Sequence, residues 1–387
     1  MRFRRGLRGP LALVSLFAVF SAPAAGQETP VSPDSVGESA PVSVFGEDPA
    51  HRLGISGFGV GSFSYDFETD RSSFADSALA VAFSKVFSNH WSVFAQLTAS
   101  REAGSPFVGG EEASGIETDI DNLQLTWIPS ARAGLQVTFG KFDSPLGIER
   151  DDAPLNFQAT SSFTFDFSRP VKFTGLELHE AFSPHFELWA IVANGWDVDR
   201  DNNKGKTGAL YAMWSPSLAA HFGLGVVYGP EKDDRSGDPR TTAIATLLVQ
   251  PATALVFGSE LVAGQEPHSA ESGGTAKWYA GTLFAHARFG RRLAGTLRLD
   301  YLDDAGGSRT GFRQVLRSVT VSPQYLLGSG FFGVFRYLDR TSLTLPGLAV
   351  RLDLRYDRSS EAVFRSRDET AGRRDRFSTT LQTVFVF

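Results

Sequence analysis

From residue 51 onward, apolar and polar residues take turns. Leu348, Val350, Leu352, Leu354 and Tyr356 share one parity, and Arg351, Asp353, Arg355 and Asp357 share the other. Leu293, Leu297, Leu299 and Tyr301 alternate with Thr296, Arg298 and Asp300, and Leu123, Leu125 and Trp127 with Asn122, Gln124 and Thr126. A period of two predicts β-strands with unlike faces. A soluble barrel turns its apolar face inward. Charge alternating with leucine and aromatic rings fits the reverse, an apolar wall against lipid around a wet interior. Trp91, Trp127, Trp214, Trp278, Tyr301 and Tyr356 fall near predicted strand ends, where interfacial girdles sit.

The connections alternate too. Tight clusters of turn residues occur at 88–90, 129–131, 183–185, 215–217, 250–252 and 290–292. Long polar segments lie between them, at 102–115, 143–170, 197–206, 230–240, 264–276, 303–311 and 358–375. Short, long, short, long predicts an all-β fold: a transmembrane, antiparallel, up-and-down β-barrel with short periplasmic turns and long extracellular loops. About sixteen strands are expected, and fourteen or eighteen stay open. The ambiguity lies in 327–346. A strand over 331–337 would break the parity of the termini, so an insertion at the turn rim, such as a short helix, is preferred.

The termini extend this picture. The last strand carries Phe377, Leu381, Phe385 and Phe387 on one face and Ser378, Thr380 and Gln382 on the other. It resembles the closing strand of a bacterial outer-membrane barrel, which implies that Phe385 and Phe387 form the end met by the barrel-assembly machinery. Thr379 and Thr383 depart from that pattern, standing where larger apolar groups are usual. At the other end, Arg2, Arg4, Arg5 and Arg8 precede a short apolar run and small residues, the layout of a secretory signal peptide over 1–26. Cleavage after Ala24 or after Gly26 fits equally. Residues 27–50, rich in Pro, Ser and Glu, are expected to be a disordered periplasmic leader, and 51–387 a single outer-membrane barrel.

Charge and cysteine narrow the chemistry. The chain has 387 residues, no Cys and a net charge of −6, which becomes more negative once the four signal arginines leave. This argues against nucleic acid as a partner and removes thiolate catalysis and zinc–thiolate sites.

Several stretches resemble the OmpL-like β-barrel porin family, β-barrel porin-2. They are Gly-Lys-Phe-Asp-Ser-Pro-Leu-Gly at 140–147, Asn156-Phe157, Thr174-Gly175, Val-Ala-Asn-Gly-Trp-Asp at 192–197, 201–207, Tyr-Gly-Pro-Glu at 228–231 and 355–359. They cover most of 51–387 in order. The resemblance implies a porin-type barrel in the cell outer membrane, with no defined substrate. Porins of this size are often trimers, so a homotrimer is a possible assembly.

The segment 143–170 is the candidate constriction. It is long for an irregular loop, yet carries Phe157, Phe163, Phe165 and Phe167, which favour burial. Folded into the lumen, it would set Glu149, Asp151 and Asp152 opposite Arg150, Arg169 and Lys172, a transverse field across a narrow passage. The alternative is a loop packed outward on the rim. Arg298, Asp300, Arg351, Asp353, Arg355 and Asp357 are expected on the lumen wall. Asp197, Asp199, Asp201 and Asn203 place oxygens at alternate positions, as Ca²⁺ requires. However, Asn202 and Gly208 stand where a calcium loop wants Gly and Glu, and a solvated loop explains the spacing as well. The arginines of 358–376 suit lipopolysaccharide phosphate or simple solvation. The Gly-x-Ser-x-Gly and His-Glu-x-x-His motifs are absent from the sequence, which disfavours an enzyme. The expectation is a water-filled channel for passive diffusion of small polar solutes or ions. The alternative is a non-conducting barrel plugged by 143–170.

Overall fold

The computed structural model describes residues 43–45, 53–74, 77–101, 104–110, 115–130, 134–328, 347–368 and 372–387. Sixteen long strands follow one another: β1 Leu53–Asp66, β2 Ser77–Ser88, β3 Trp91–Arg101, β4 Glu117–Trp127, β5 Leu135–Asp143, β6 Lys172–Ser183, β7 Phe186–Ala193 and β8 Thr207–Ser217. The second half comprises β9 Ala220–Lys232, β10 Arg235–Ala252, β11 Leu255–Glu266, β12 Ala276–Arg288, β13 Leu293–Asp304, β14 Gln314–Gly328, β15 Gly347–Ser359 and β16 Asp375–Val386. Each pairs antiparallel with the next, and β16 pairs with β1, closing the barrel. Closure leaves no sheet edge for lipid to meet.

At the seam, Phe387 and Gly57 exchange both backbone hydrogen bonds, at 2.9 Å each. Phe385 lies across Gly59, where an added Cβ would fall 2.1 Å from the ring. The terminal phenylalanines therefore close the wall against glycines of β1. Alternation holds around the barrel. Leu297, Leu299, Tyr301, Leu354, Tyr356 and Leu381 face outward, while Arg298, Asp300, Asp353, Arg355 and Gln382 are buried inside.

Three local expectations are corrected. Residues 230–240 are not a loop: β9 and β10 run on as a hairpin that turns at Asp233-Asp234, with Lys232 opposite Arg235. Pro230 and Pro239 pair beside a register shift, where a missing N–H is tolerated. Trp278 is no girdle residue. It has inward parity, is fully buried and lies against Gly264, where a Cβ would meet the indole at 2.0 Å. The leader is not irregular throughout, because Ser43–Phe45 pairs antiparallel with Leu53–Ile55 and occupies the β1 edge just past the end of β16. The signal segment and the 329–346 insertion lie outside the described residues.

Candidate functional site

Strand β5 stops at Asp143, and the chain turns into the lumen until β6 begins at Lys172. Gly140, at φ +126°, starts this departure; a Cβ there would fall 1.9 Å from the Leu123 carbonyl oxygen. The inserted loop holds a 3₁₀ turn, Ala153–Leu155, and one short helix, Phe163–Phe167, whose Ser162 side chain accepts from the Phe165 amide.

The aromatic residues drive the insertion. Phe157 is buried, stacks on His286 at 4.0 Å and packs on Phe284 at 5.6 Å. Together with Ile148, Leu248 and Val256 it forms a core inside the barrel. Phe163 lies under the Arg355 guanidinium at 4.8 Å, and Phe167 packs against Phe107. The outward alternative for this loop is excluded by these contacts.

The wall charges grip the loop. Arg298 donates to the carbonyls of Thr160 and Ser161 at 2.5 and 2.7 Å and pairs with Asp300 at 2.9 Å. Arg355 donates to the Ser161 carbonyl at 2.6 Å and pairs with Asp357 at 2.7 Å. Arg351 reaches the carbonyls of Ala153 and Gln158 at 3.0 and 3.2 Å. One oxygen of Asp353 accepts from the amides of Ala159 and Thr160 and from the Thr160 hydroxyl, at 3.1, 2.9 and 2.7 Å; the other accepts from Ser322 at 2.5 Å. Arg351 and Asp353 are 0% exposed. The six residues point inward, but Arg298, Arg351, Asp353 and Arg355 clamp the loop, and Asp300 and Asp357 pair with Arg298 and Arg355, so they form no water-facing lining. Carbonyls and amides of an irregular loop need partners when buried, and the wall supplies them.

The expected opposition of charges across a gap is therefore only partly built. Arg150 is buried and donates to the Ser144 carbonyl at 2.8 Å. Arg169 is buried, pairs with Glu260 of β11 at 2.5 Å and donates to the Glu149 carbonyl at 2.7 Å. Neither stands across an opening from the acids, because both are used to fold the loop's base. Glu149 accepts from the Ser162 amide at 3.0 Å and faces Arg298 at 3.4 Å. Burial pushes its carboxyl up to about 7.

The remaining charges gather on the other side. Lys172 meets Asp121, Asp143 and Asp151 at 2.9, 2.8 and 3.1 Å. Asp121 is there because of a bulge: the β3–β4 register shifts between Gln96 and Leu97, and Asp121 and Asn122 both turn inward. Gln96 then bridges Asp121 and Asp152, at 2.8 Å to each. Burial and the neighbouring Asp143 raise the Asp152 carboxyl to about 7. A cavity of about 430 Å³ adjoins this cluster, lined among others by Asp119, Lys141, Asp151, Phe165, Lys172 and Asp199. Lys141 pairs there with Asp119 and Asp199 at 2.7 and 3.2 Å. On the adjoining inner wall, Ser92, Phe94, Thr98, Gln124, Thr126 and Gln136 are only half-buried.

The candidate calcium residues diverge. Asp197 accepts from the amides of Val171 and Lys172 at 2.8 and 2.7 Å, Asp201 pairs with Lys206, and Asn203 accepts from the Gly205 amide at 2.8 Å. Among the described residues, no three acidic or histidine side chains converge where a metal could sit. The arginine-rich loop is likewise occupied. Arg367 pairs with Asp70 and Arg373 with Glu68, both at 2.8 Å, and Arg365 donates to the carbonyls of Phe107 and Gly110 at 3.0 and 2.6 Å.

A closed sixteen-strand barrel with one loop folded into its lumen defines the class: an outer-membrane porin. By sequence, residues 95–387 match the family Putative beta-barrel porin-2, OmpL-like, and the chain belongs to that family. No curated protein matches the chain by sequence. Among solved structures, it is similar to in-vitro folded OmpT of Vibrio cholerae, with a TM-score of 0.58 and 10% identity over 89% of this chain and 100% of that one. It is also similar to an anion-selective porin from Comamonas acidovorans, with a TM-score of 0.56 and 12% identity over 87% and 99%. A third is Salmonella typhi OmpF in complex with daunomycin, with a TM-score of 0.54 and 9% identity over 88% and 98%.

Proposed function

We propose that this porin passes small polar solutes with a preference for cations, through a gap between the inserted loop and the β3–β6 wall. The observation that carries this is the charge left facing that gap. Three carboxylates, Asp121, Asp143 and Asp151, surround one lysine, Lys172, and a fourth, Asp152, joins them through Gln96, whereas Arg298, Arg351 and Arg355 are sealed under the loop. A narrow passage lined by one sign of charge concentrates counter-ions. The mature protein would begin after signal cleavage, insert through its C-terminal strand and associate as a homotrimer, in line with the trimer form described for Vibrio cholerae OmpT.

The test is single-channel conductance of the refolded mature protein in a planar bilayer under a salt gradient. Discrete steps with a reversal potential on the cation side support the reading. A reversal potential on the anion side overturns the selectivity. A folded but silent barrel favours the plugged alternative, which the fully buried clamp around Asp353 supports.

A further inference from the structure

The lipid-facing wall carries a row of charge at the height of its aromatic belt. Tyr301, Arg317, Arg358 and Asp375 lie opposite one another on four successive strands, β13 to β16. All four have outward parity. Tyr301 is 40% exposed, and Arg317 is exposed as well. Arg317 and Arg358 are direct cross-strand partners. Like charges so placed repel, and a sheet normally avoids them.

Compensation within the protein is slight. Arg358 meets Asp375 at 3.5 Å, and that carboxylate also accepts from the Tyr356 hydroxyl at 2.5 Å. Among the described residues, Arg317 makes no ion pair. Asp303 stands one row above, opposite Val315. The row below is apolar: Leu299, Val319, Tyr356 and Phe377 in register. Two guanidinium groups thus crown a strip of hydrocarbon and aromatic surface on the side of the extracellular loops.

We infer that Arg317 and Arg358 form a docking site for the phosphate headgroup of an outer-leaflet lipid, with its acyl chains against Leu299, Val319 and Phe377. A phosphate between the two arginines converts their repulsion into bidentate, charge-assisted hydrogen bonds. Water can solvate each arginine singly but cannot neutralise the pair. Arg365, Arg367 and Arg373 are tied to neighbouring loops, so the phosphate site is formed by Arg358, at the start of that arginine-rich segment, with Arg317 beside it on β14.

The test uses the refolded full-length mature chain in detergent and native mass spectrometry. The probes are lipid A bearing its phosphates and a dephosphorylated analogue. The wild-type protein should retain the phosphorylated form about tenfold better, as expected for paired charge-assisted bonds. The R317Q/R358Q variant should retain both alike, with unchanged conductance because both positions lie outside the lumen. Equal retention of the two lipids by wild type overturns the inference, and so does full retention by the double variant. If that variant does not fold, D375N provides the second arm. Removing the one carboxylate in the row should increase retention of the phosphorylated form, and no increase overturns the inference.

Discussion

The two halves of the inner wall use polar residues for opposite ends. From β13 to β16 nearly all the inward side chains are buried, and four charged ones among them, Arg298, Arg351, Asp353 and Arg355, are bonded to the loop backbone. From β3 to β5 they are mostly neutral, short or amide-bearing, and half-buried, with the charge gathered around Lys172 and the neighbouring Lys141. The density of charge on a barrel's inner face therefore does not locate its water. Charge that finds partners becomes scaffold, and the sparser, less satisfied side is left to line the passage.

The largest test of this contrast is removal of the loop. Deleting residues 146–169 should raise single-channel conductance several-fold, since the loop fills the β7–β16 side. Unchanged conductance would mean that ions never pass beside it. Next is Asp353→Ala, which strips acceptors from two amides and two hydroxyls. Each buried donor left unpaired costs roughly 1–3 kcal/mol. The variant should show flickering current and a lower temperature of heat-induced mobility shift on gels. Gln124→Ala, on the opposite half, should leave both readouts near wild type. Phe157→Ala should destabilise by about 3 kcal/mol through the cavity it leaves, read by the same heat shift, with smaller effects on current.

The smallest effect concerns pH. Burial, with Asp143 beside it, lifts Asp152 from the usual carboxylate range to about 7. A raised carboxyl keeps its proton longer, so its negative charge is present above pH 7 and lost below. Cation preference should fall as pH drops from 8 to 6, and Asp152→Asn should flatten that response. The same sign applies to Glu149: the docked loop is favoured at pH 5 and loses that advantage as pH rises towards 7. Stronger docking at pH 8 than at pH 5 would contradict it.

Much of this was legible in the sequence. Period two, the alternation of connection lengths and the aromatic residues of 143–170 led to sixteen strands and an inserted loop. The inward parity of Arg298, Asp353 and Arg355 was also legible. What each charge would touch was not, because alternation gives a side chain's direction and says nothing of what comes to meet it. Asp121 was missed since a bulge breaks the very period used to read the strand. Glu260 left a faint signal, a lone carboxylate among the inward Val256, Gly258 and Val262, but nothing in the strand's pattern points to its partner Arg169, 91 residues away in the loop. Trp278 was misread because a position near a strand end does not reveal which face the ring takes.

The clamp also ties distant parts of the chain together. Thr160 and Asp353 are 193 residues apart in the chain, and Arg351 lies 198 residues from Ala153. Contacts of such separation are slow to form. The loop can dock only where β15 already stands in the wall, because its clamps Arg351, Asp353 and Arg355 all lie on that strand. The pairing of Phe387 with Gly57 that seals the wall and the narrowing of the lumen thus depend on the same last hairpin, and a barrel lacking it would be both open along its side and wide at its centre.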